Sequence, residues 1–176
     1  MRNGQRVFDA ERCKVLDFVA PLPVFERQSG EIYSAAGETV TAVNLAQPKL
    51  IDSSDRKGKP IQKETFSSLW EVPGTSILAA ANRFEDTRSP RFRRSITGPM
   101  AIHVRAGNRL YGNWADVLFA IDLPDQEHGP RVSWSKTIQG AAKTMAVADG
   151  KLFVGTGAGR IYCFDGAQKH PRTYSA

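Results

Sequence analysis

Ala148-Asp149-Gly150-Lys151-Leu152-Phe153-Val154-Gly155, followed by Gly159-Arg160-Ile161-Tyr162-Cys163-Phe164-Asp165, decides the fold of this chain. A turn-forming Asp-Gly precedes an apolar–aromatic pair, a glycine-bearing turn follows, and an apolar run closes on aspartate. Short runs rich in β-branched and aromatic residues, bounded by Gly, Asn or Asp, form strands and hairpins. The glycines of Gly155-Thr156-Gly157-Ala158-Gly159 sit in the hairpin turn, where glycine supplies positive φ. Their G-x-G-x-G spacing is not the dinucleotide-binding G-x-G-x-x-G, which needs a strand before it and a helix after it.

The same unit occurs twice more. Asn108-Arg109-Leu110-Tyr111 leads through Asn113 to Val117-Leu118-Phe119-Ala120-Ile121-Asp122-Leu123, and Gly30-Glu31-Ile32-Tyr33 leads through Gly37 to Val40-Thr41-Ala42-Val43-Asn44-Leu45. Ile102 to Tyr111 overlays Thr144 to Phe153, 42 residues on, without a gap. An apolar residue followed by Asp or Asn also occurs at Phe8-Asp9. The closing residues Asp9, Asn44, Asp122 and Asp165 are 35, 78 and 43 residues apart, the middle gap being about twice the others. Self-similarity near 40–45 residues is the period of a four-stranded β-propeller blade. The fourth strand of such a blade should carry a large aromatic that buries area between neighbouring sheets. Trp134, in Val132-Ser133-Trp134-Ser135, and Trp70, in Leu69-Trp70-Glu71-Val72, are placed to do so. Trp70, Trp134, Asp9, Asn44, Asp122 and Asp165 are therefore the expected repeat anchors.

Elsewhere the pattern weakens. Ile77-Leu78-Ala79-Ala80-Ala81 could open a further blade or form a short helix. Residues 82–98 are polar and arginine-heavy, with no strand legible in them, and residues 52–65 read as a second long polar loop. The expected organisation is one partial propeller domain over residues 1–176. Within it, 1–50 hold eroded first blades, 51–99 a degenerate blade with polar loops, 100–166 the best-formed blades, and 167–176 a tail.

Composition bounds the rest. The chain has 176 residues, 41% apolar and 24% charged, with 24 Lys and Arg against 18 Asp and Glu for a net charge of +6. That is the make-up of an ordinary folded domain. No apolar run approaches the roughly 18 to 20 residues of a membrane helix. A coiled coil and a disulfide-dense mini-protein are excluded as well. Cys13 and Cys163 lie far apart with no C-x-x-C spacing, so a disulfide cannot be argued from them. Cys163, inside an alternating apolar run, is expected to be a small buried side chain. Residues 1–8 lack the apolar stretch of a secretory signal. The compartment stays open: cytoplasmic, or exported as part of a longer chain.

With these residues in view, the repeat resembles the PQQ-like (quinoprotein alcohol dehydrogenase-like) propeller repeat. Ala148 to Gly155 with Gly159 to Gly166 carries the likeness, and Phe8-Asp9-Ala10-Glu11-Arg12-Cys13-Lys14-Val15-Leu16 is similar to the family's Asp-Ala-x-x-Gly-Lys-x-x-Trp turn. Cys13 stands where the turn glycine is usual and Asp17 where the tryptophan would be. The likeness covers residues 5–20, 30–46, 68–80 and 100–166. Relatives of this repeat type are often periplasmic; they include quinone-dependent dehydrogenases, a lipoprotein scaffold of outer-membrane protein assembly, and propellers of unknown role. Propellers of the family have seven or eight blades, and this chain can supply three or four. The resemblance thus implies an incomplete ring, to be completed by more of the same polypeptide, by self-association or by another chain.

For the dehydrogenases, the resemblance would imply a tryptophan platform under PQQ, a calcium held by Glu, Asn and Asp, and an adjacent Cys-Cys ring. No Cys-Cys pair is present, and no carboxylate–amide set falls on the calcium motif. Trp70, Trp114 and Trp134 are expected to be packing or surface residues. His103, His128 and His170 lack partners at metal-ligand spacing. No G-x-S-x-G elbow appears, and the adjacent Glu85-Asp86 share no evident site. The one charged cluster is Arg83, Arg88, Arg91, Arg93 and Arg94, interleaved with Phe84 and Phe92. Such a mixture can grip phosphates and stack bases. Glu85 and Asp86 lower its local charge, so a solvated loop is the plainer expectation. Arg88, Arg91, Arg93 and Arg94 are the candidate contacts for an anion or an acidic partner.

The sequence therefore points to an all-β fold of three to four four-stranded propeller blades, part of an incomplete seven- or eight-bladed ring. The expected function is a non-catalytic protein-binding or scaffold module with no cofactor, partnered by protein or by itself, and with no membrane span. The alternative is a fragment or subunit of a dehydrogenase that uses PQQ and calcium to act on alcohols or sugars. Nucleic-acid binding through residues 83–94 is a third reading.

Overall fold

A computed structural model describes residues 5–9, 14–20, 22–84, 96, 98–166 and 172–174; for 5–9, 14–20, 84 and 172–174 it describes the backbone alone. Among these residues the strands are β1 (Gln5–Asp9), β2 (Lys14–Ala20), β3 (Val24–Glu26), β4 (Glu31–Ala36), β5 (Thr39–Asn44), β6 (Lys49–Ser54), β7 (Pro60–Thr65) and β8 (Ser68–Pro73). Helix α1 (Gly74–Phe84) follows, then β9 (Met100–Ala106), β10 (Arg109–Trp114), β11 (Val117–Asp122) and β12 (Arg131–Thr137). The last four are β13 (Ala142–Ala148), β14 (Lys151–Thr156), β15 (Ile161–Asp165) and β16 (Arg172–Tyr174).

These strands make three four-stranded antiparallel sheets: β3-β4-β5-β8 (sheet 1), β9-β10-β11-β12 (sheet 2) and β13-β14-β15-β16 (sheet 3). Two-stranded pairs, β1-β2 and β6-β7, complete the set. Sheets 2 and 3 are plain meanders, and sheet 1 is a meander with the β6-β7 hairpin inserted before its fourth strand. Sheets 1 and 2 approach through β3, β4 and β9, and sheets 2 and 3 through β9, β10 and β13. Stacking through the first strands, with the later strands fanned outward, is how propeller blades are arranged. The fold is all-β, a run of such blades.

The register follows the repeat. β9 and β10 begin 42 residues before β13 and β14. The β4-β5 hairpin lies 78 residues before β10-β11 at both ends of both strands. Asp9, Asn44, Asp122 and Asp165 are each the last residue of a strand, the third one in all three complete sheets. Leu45 N–H donates to Gly30 O at 3.0 Å, and Leu123 N–H donates to Asn108 O at 3.0 Å, so the hairpins of sheets 1 and 2 are shut by the same bond.

Side-chain alternation divides the apolar residues between two cores. Between sheets 1 and 2, Tyr33, Ala35, Val40, Ala42 and Val72 meet Met100, Ile102, Leu110, Trp114, Val117, Phe119 and Ile121. Between sheets 2 and 3, Leu118 with the half-buried Val104, Tyr111 and Trp134 meets Ala142, Met145, Leu152, Val154 and Tyr162. Sheet 2 serves both because its strands alternate (period 2). Two register shifts, between Tyr111 and Gly112 against β9 and between Ala120 and Ile121 against β12, move Val104 and Trp134 onto the face opposite Ile102 and Val132. Extra residues of this kind re-aim the side chains that follow. At Gly112 a Cβ would come within 2.7 Å of the Phe119 ring, so glycine is what lets that ring lie flat over β10.

Helix α1 resolves the two readings of residues 77–81. Ile77, Ala80 and Ala81 are buried at spacings of three and four, the single stripe of a helix packed on one side. It lies against β12, β11 and β8 and so fills the outer gap between sheets 1 and 2. Gly74 N–H donates to Glu38 O at 2.7 Å, tying the helix to the β4-β5 turn. A Cβ on Gly74 would sit 2.6 Å from the Trp114 ring. Trp114 is buried, and its Nε1–H donates to Gly98 O at 3.2 Å.

Four expectations need correction. Residues 52–65 are not a loop: they take part in the β6-β7 hairpin, paired from Lys49↔Thr65 to Ser54↔Pro60. Most of its side chains face water, so it lacks the alternation by which strands are recognised. Its turn is set by Asp55, whose Oδ1 accepts from Lys57 N–H (2.8 Å) and Lys59 N–H (2.9 Å). Sheet 1 draws strands from both sides of residue 50, because that insertion falls inside it. Asn113 is a buried strand residue rather than a turn; the turn is at Ala115, with φ 52°, and Asp116. Its amide bonds His103 Nε2 (2.7 Å) and Ala115 O (2.8 Å), which satisfies it in place. Cys163 is half-buried on the outer face of sheet 3 instead of buried in a core.

Candidate interaction surface

Asp122 ends the third strand of sheet 2 and gathers the densest polar cluster of the described residues. One carboxylate oxygen accepts from Arg109 Nε (2.7 Å) and Ser133 Oγ (2.7 Å), and the other faces Arg131 Nε at 3.4 Å. Desolvation pushes this carboxyl upward. The hydrogen bonds from Arg109 and Ser133 and the charges of Arg109 and Arg131 outweigh it, holding the group below the usual aspartate range. Arg109 is held further into its charged form by the same hydrogen bond. Both oxygens of a carboxylate so engaged are committed, so Asp122 braces β10, β11 and β12 and is not set up as a proton acceptor. A shallow cavity of about 400 Å³ lies over it, lined by Asn108, Arg109, Tyr111, Asp125, His128 and Arg131 among others. Asp125 turns that loop, accepting from the N–H groups of Glu127 and His128 (both 2.8 Å); these bonds hold its carboxyl below the ordinary value.

Asn44, the counterpart in sheet 1, works without charge: its Oδ1 accepts from Ala46 N–H (2.7 Å) and its Nδ2 donates to Ser29 O (3.4 Å). Asp165 ends β15 opposite Lys151. Asp9 ends β1, where only the backbone is described. The structure sets Asn44, Asp122 and Asp165 at the ends of the third strands of separate sheets and Asp9 at the end of β1, and does not gather the four into one site.

The tryptophans are occupied in packing. Trp70 stacks on Tyr33 with centroids 5.9 Å apart, and Trp134 meets Phe164 edge-on at 5.3 Å. Trp114 lies under α1. All three rings are thus engaged within the fold. Among the described residues no three His, Cys, Asp or Glu converge as metal ligands. Arg88, Arg91, Arg93 and Arg94 lie outside the described residues. Arg83, in the last turn of α1, lines a groove of about 620 Å³ that runs between β8, α1 and β12 and also exposes Glu71, Ser76, Arg131 and Ser133.

A feature that sequence reasoning missed is the β6-β7 hairpin. Leu50 is 61% exposed, Ile51 46% and Ile61 41%. Ile51 and Ile61 share one face, opposite Lys63 and Ser53, and Leu50 is on the other, opposite Glu64. Branched aliphatic side chains on both faces of an element outside the two cores are suited to contact with another macromolecule. The available signal was the Lys-Leu-Ile and Pro-Ile-Gln runs flanking Asp55-Arg56-Lys57-Gly58.

No protein-family model matches the sequence, and no curated protein matches it. Among solved structures, the chain is similar to BamB from Moraxella catarrhalis, with 14% identity and a TM-score of 0.49, over 90% of this chain and 36% of that one. It therefore spans about a third of the length of that structure. No helix among the described residues is long and apolar enough to cross a membrane.

Proposed function

We propose that this chain is a PQQ-like-repeat propeller protein that works as a protein-binding or scaffold module, without a cofactor of its own. The observation that carries this reading is the β6-β7 hairpin. It interrupts sheet 1 between the third and fourth strands, belongs to neither core, and presents Leu50, Ile51 and Ile61 to solvent. Exposed apolar area on an insertion is a net liability unless a partner covers it.

The test pairs the full chain with the triple variant Leu50→Ser, Ile51→Ser, Ile61→Ser. A defined partner that is cross-linked to the first and lost from the second, at unchanged circular dichroism, supports the reading. Equal capture by both proteins overturns the role of the hairpin. Dye-linked turnover of an alcohol or sugar after adding PQQ and calcium would overturn the module reading in favour of a dehydrogenase fragment.

A further inference from the structure

The β6-β7 hairpin segregates its charges. Its register puts Lys49, Ile51, Ser53, Ile61, Lys63 and Thr65 on one face and Leu50, Asp52, Ser54, Pro60, Gln62 and Glu64 on the other. Both lysines of the two strands thus share the face of Ile51 and Ile61, and both carboxylates share the face of Leu50. The turn adds three exposed cations, Arg56, Lys57 and Lys59. Its one carboxylate, Asp55, is bound to the N–H groups of Lys57 and Lys59. Lys63 already has an interaction, whereas Lys49, Arg56, Lys57 and Lys59 form no ion pair among the described residues. Strand β2 approaches β7, and with it in place Ile51 and Ile61 are still 46% and 41% exposed.

We infer that the Ile51–Ile61 face, with the cations of the turn, docks an acidic protein surface whose carboxylates surround an apolar centre. The inference rests on the hairpin being the docking element, and adds which face is used and the chemistry of the partner. Charge complementarity selects that partner. Four cations without carboxylate partners border two branched aliphatics, the polar rim and apolar centre of a protein interface. A bilayer is a poorer match, because β6, β7 and their turn have no aromatic side chain and only two aliphatics on this face. Nucleic acid is poorer too: no ring is present to stack on bases, and Ile51 and Ile61 would meet phosphates. A second copy of the chain brings the same net charge of +6, which opposes its approach to a cationic face.

Titration of a labelled helical peptide, its leucine stripe flanked by glutamates, with the full chain tests this by fluorescence anisotropy. Binding should weaken as salt rises from about 0.05 to 0.5 M, which screens exposed charges. Arg56→Glu, Lys57→Glu and Lys59→Glu together should slow association by about tenfold. Ile51→Ser with Ile61→Ser should raise the dissociation constant by about tenfold. Leu50→Ser and Asp52→Asn, on the opposite face, should change neither. No binding of the peptide, or equal binding of one with lysines in place of the glutamates, overturns the acidic partner. So does tighter binding of phosphatidylglycerol vesicles or of single-stranded DNA, or a doubled chain mass in light scattering that the isoleucine pair abolishes. In each of these cases the cross-linking test above still decides the hairpin's role on its own. A loss in Leu50→Ser equal to that in the isoleucine pair overturns the choice of face and leaves the hairpin reading standing. A peptide that binds but is indifferent to all of these substitutions overturns both.

Discussion

The two spaces between sheets are filled in different ways. Between sheets 1 and 2 the outer gap holds α1, locked by Gly74 against the Trp114 ring and by Ile77 and Ala81 in the core. An ion pair between Arg105 and Glu26 crosses the inner end, with the Arg105 guanidinium over the Tyr33 ring. Tyr33 in turn donates its hydroxyl to Glu31, and burial, with that carboxylate beside it, pushes the phenol well above its ordinary range. Between sheets 2 and 3 no helix of the described residues intervenes. Aromatic rings fill the gap instead: Trp134 against Phe164, and Tyr162 stacked beside Phe164. The Tyr162 hydroxyl accepts from Gln139 N–H at 3.2 Å and so pins the link from sheet 2 to sheet 3. The same diverging geometry can thus be closed by an inserted element or by larger side chains at repeat positions.

If that contrast is right, Trp114→Ala should be the most damaging single change. It empties a buried site beneath α1 and leaves the Gly98 carbonyl without its indole donor, for about 3–5 kcal/mol. Urea unfolding should show this loss. A loss near zero would mean that α1 is not held by Trp114. Trp134→Ala removes a half-buried ring from the gap without a helix and should destabilise by about 2 kcal/mol, since part of the ring is already solvated. A loss in Trp134→Ala as large as in Trp114→Ala would show that the second gap has no slack and would undo the distinction.

A smaller difference separates the closing residues Asn44 and Asp122. The carboxyl of Asp122 is held below its unfolded value in the fold, so its stabilisation is fully present above the ordinary aspartate range, about pH 4. It is lost as pH falls from there through the folded value. Asp122→Asn makes sheet 2 resemble sheet 1 at this corner. It should weaken the fold at neutral pH and flatten the acid limb of the stability curve below about pH 4. An unchanged acid limb would mean that other carboxylates govern acid unfolding.

Much of this fold was legible because the hairpins obey two simple periods at once: alternation along each strand and a repeat near 42 residues. Trp70 and Trp134 could be placed on fourth strands for that reason. What stayed hidden did so for physical causes. The β6-β7 hairpin exposes most of the side chains on both its faces, so it shows no apolar stripe. Helix α1 has a stripe of only Ile77, Ala80 and Ala81, too short to separate helix from strand by spacing alone. Asn113 looked like a turn residue because a buried amide cannot be told from an exposed one until its partners, here His103 and the Ala115 carbonyl, are known.

The constant offset between hairpins bears on how the chain would tolerate surgery. The hairpins 31–44 and 109–122 match residue for residue, 151–165 takes one extra residue in its turn, and the longer added segments fall after Asn44 and after Pro73. One residue inserted inside β5 itself would turn every later side chain of that strand to the wrong face, whereas the turn of the sheet 3 hairpin holds an extra residue with the register kept. A reporter peptide or an affinity tag spliced between Asn44 and Ser68 would lengthen a connection already stretched by seventeen residues of hairpin, leaving the pairing of β5 with β8 intact. Those junctions are the places at which this molecule accepts cargo.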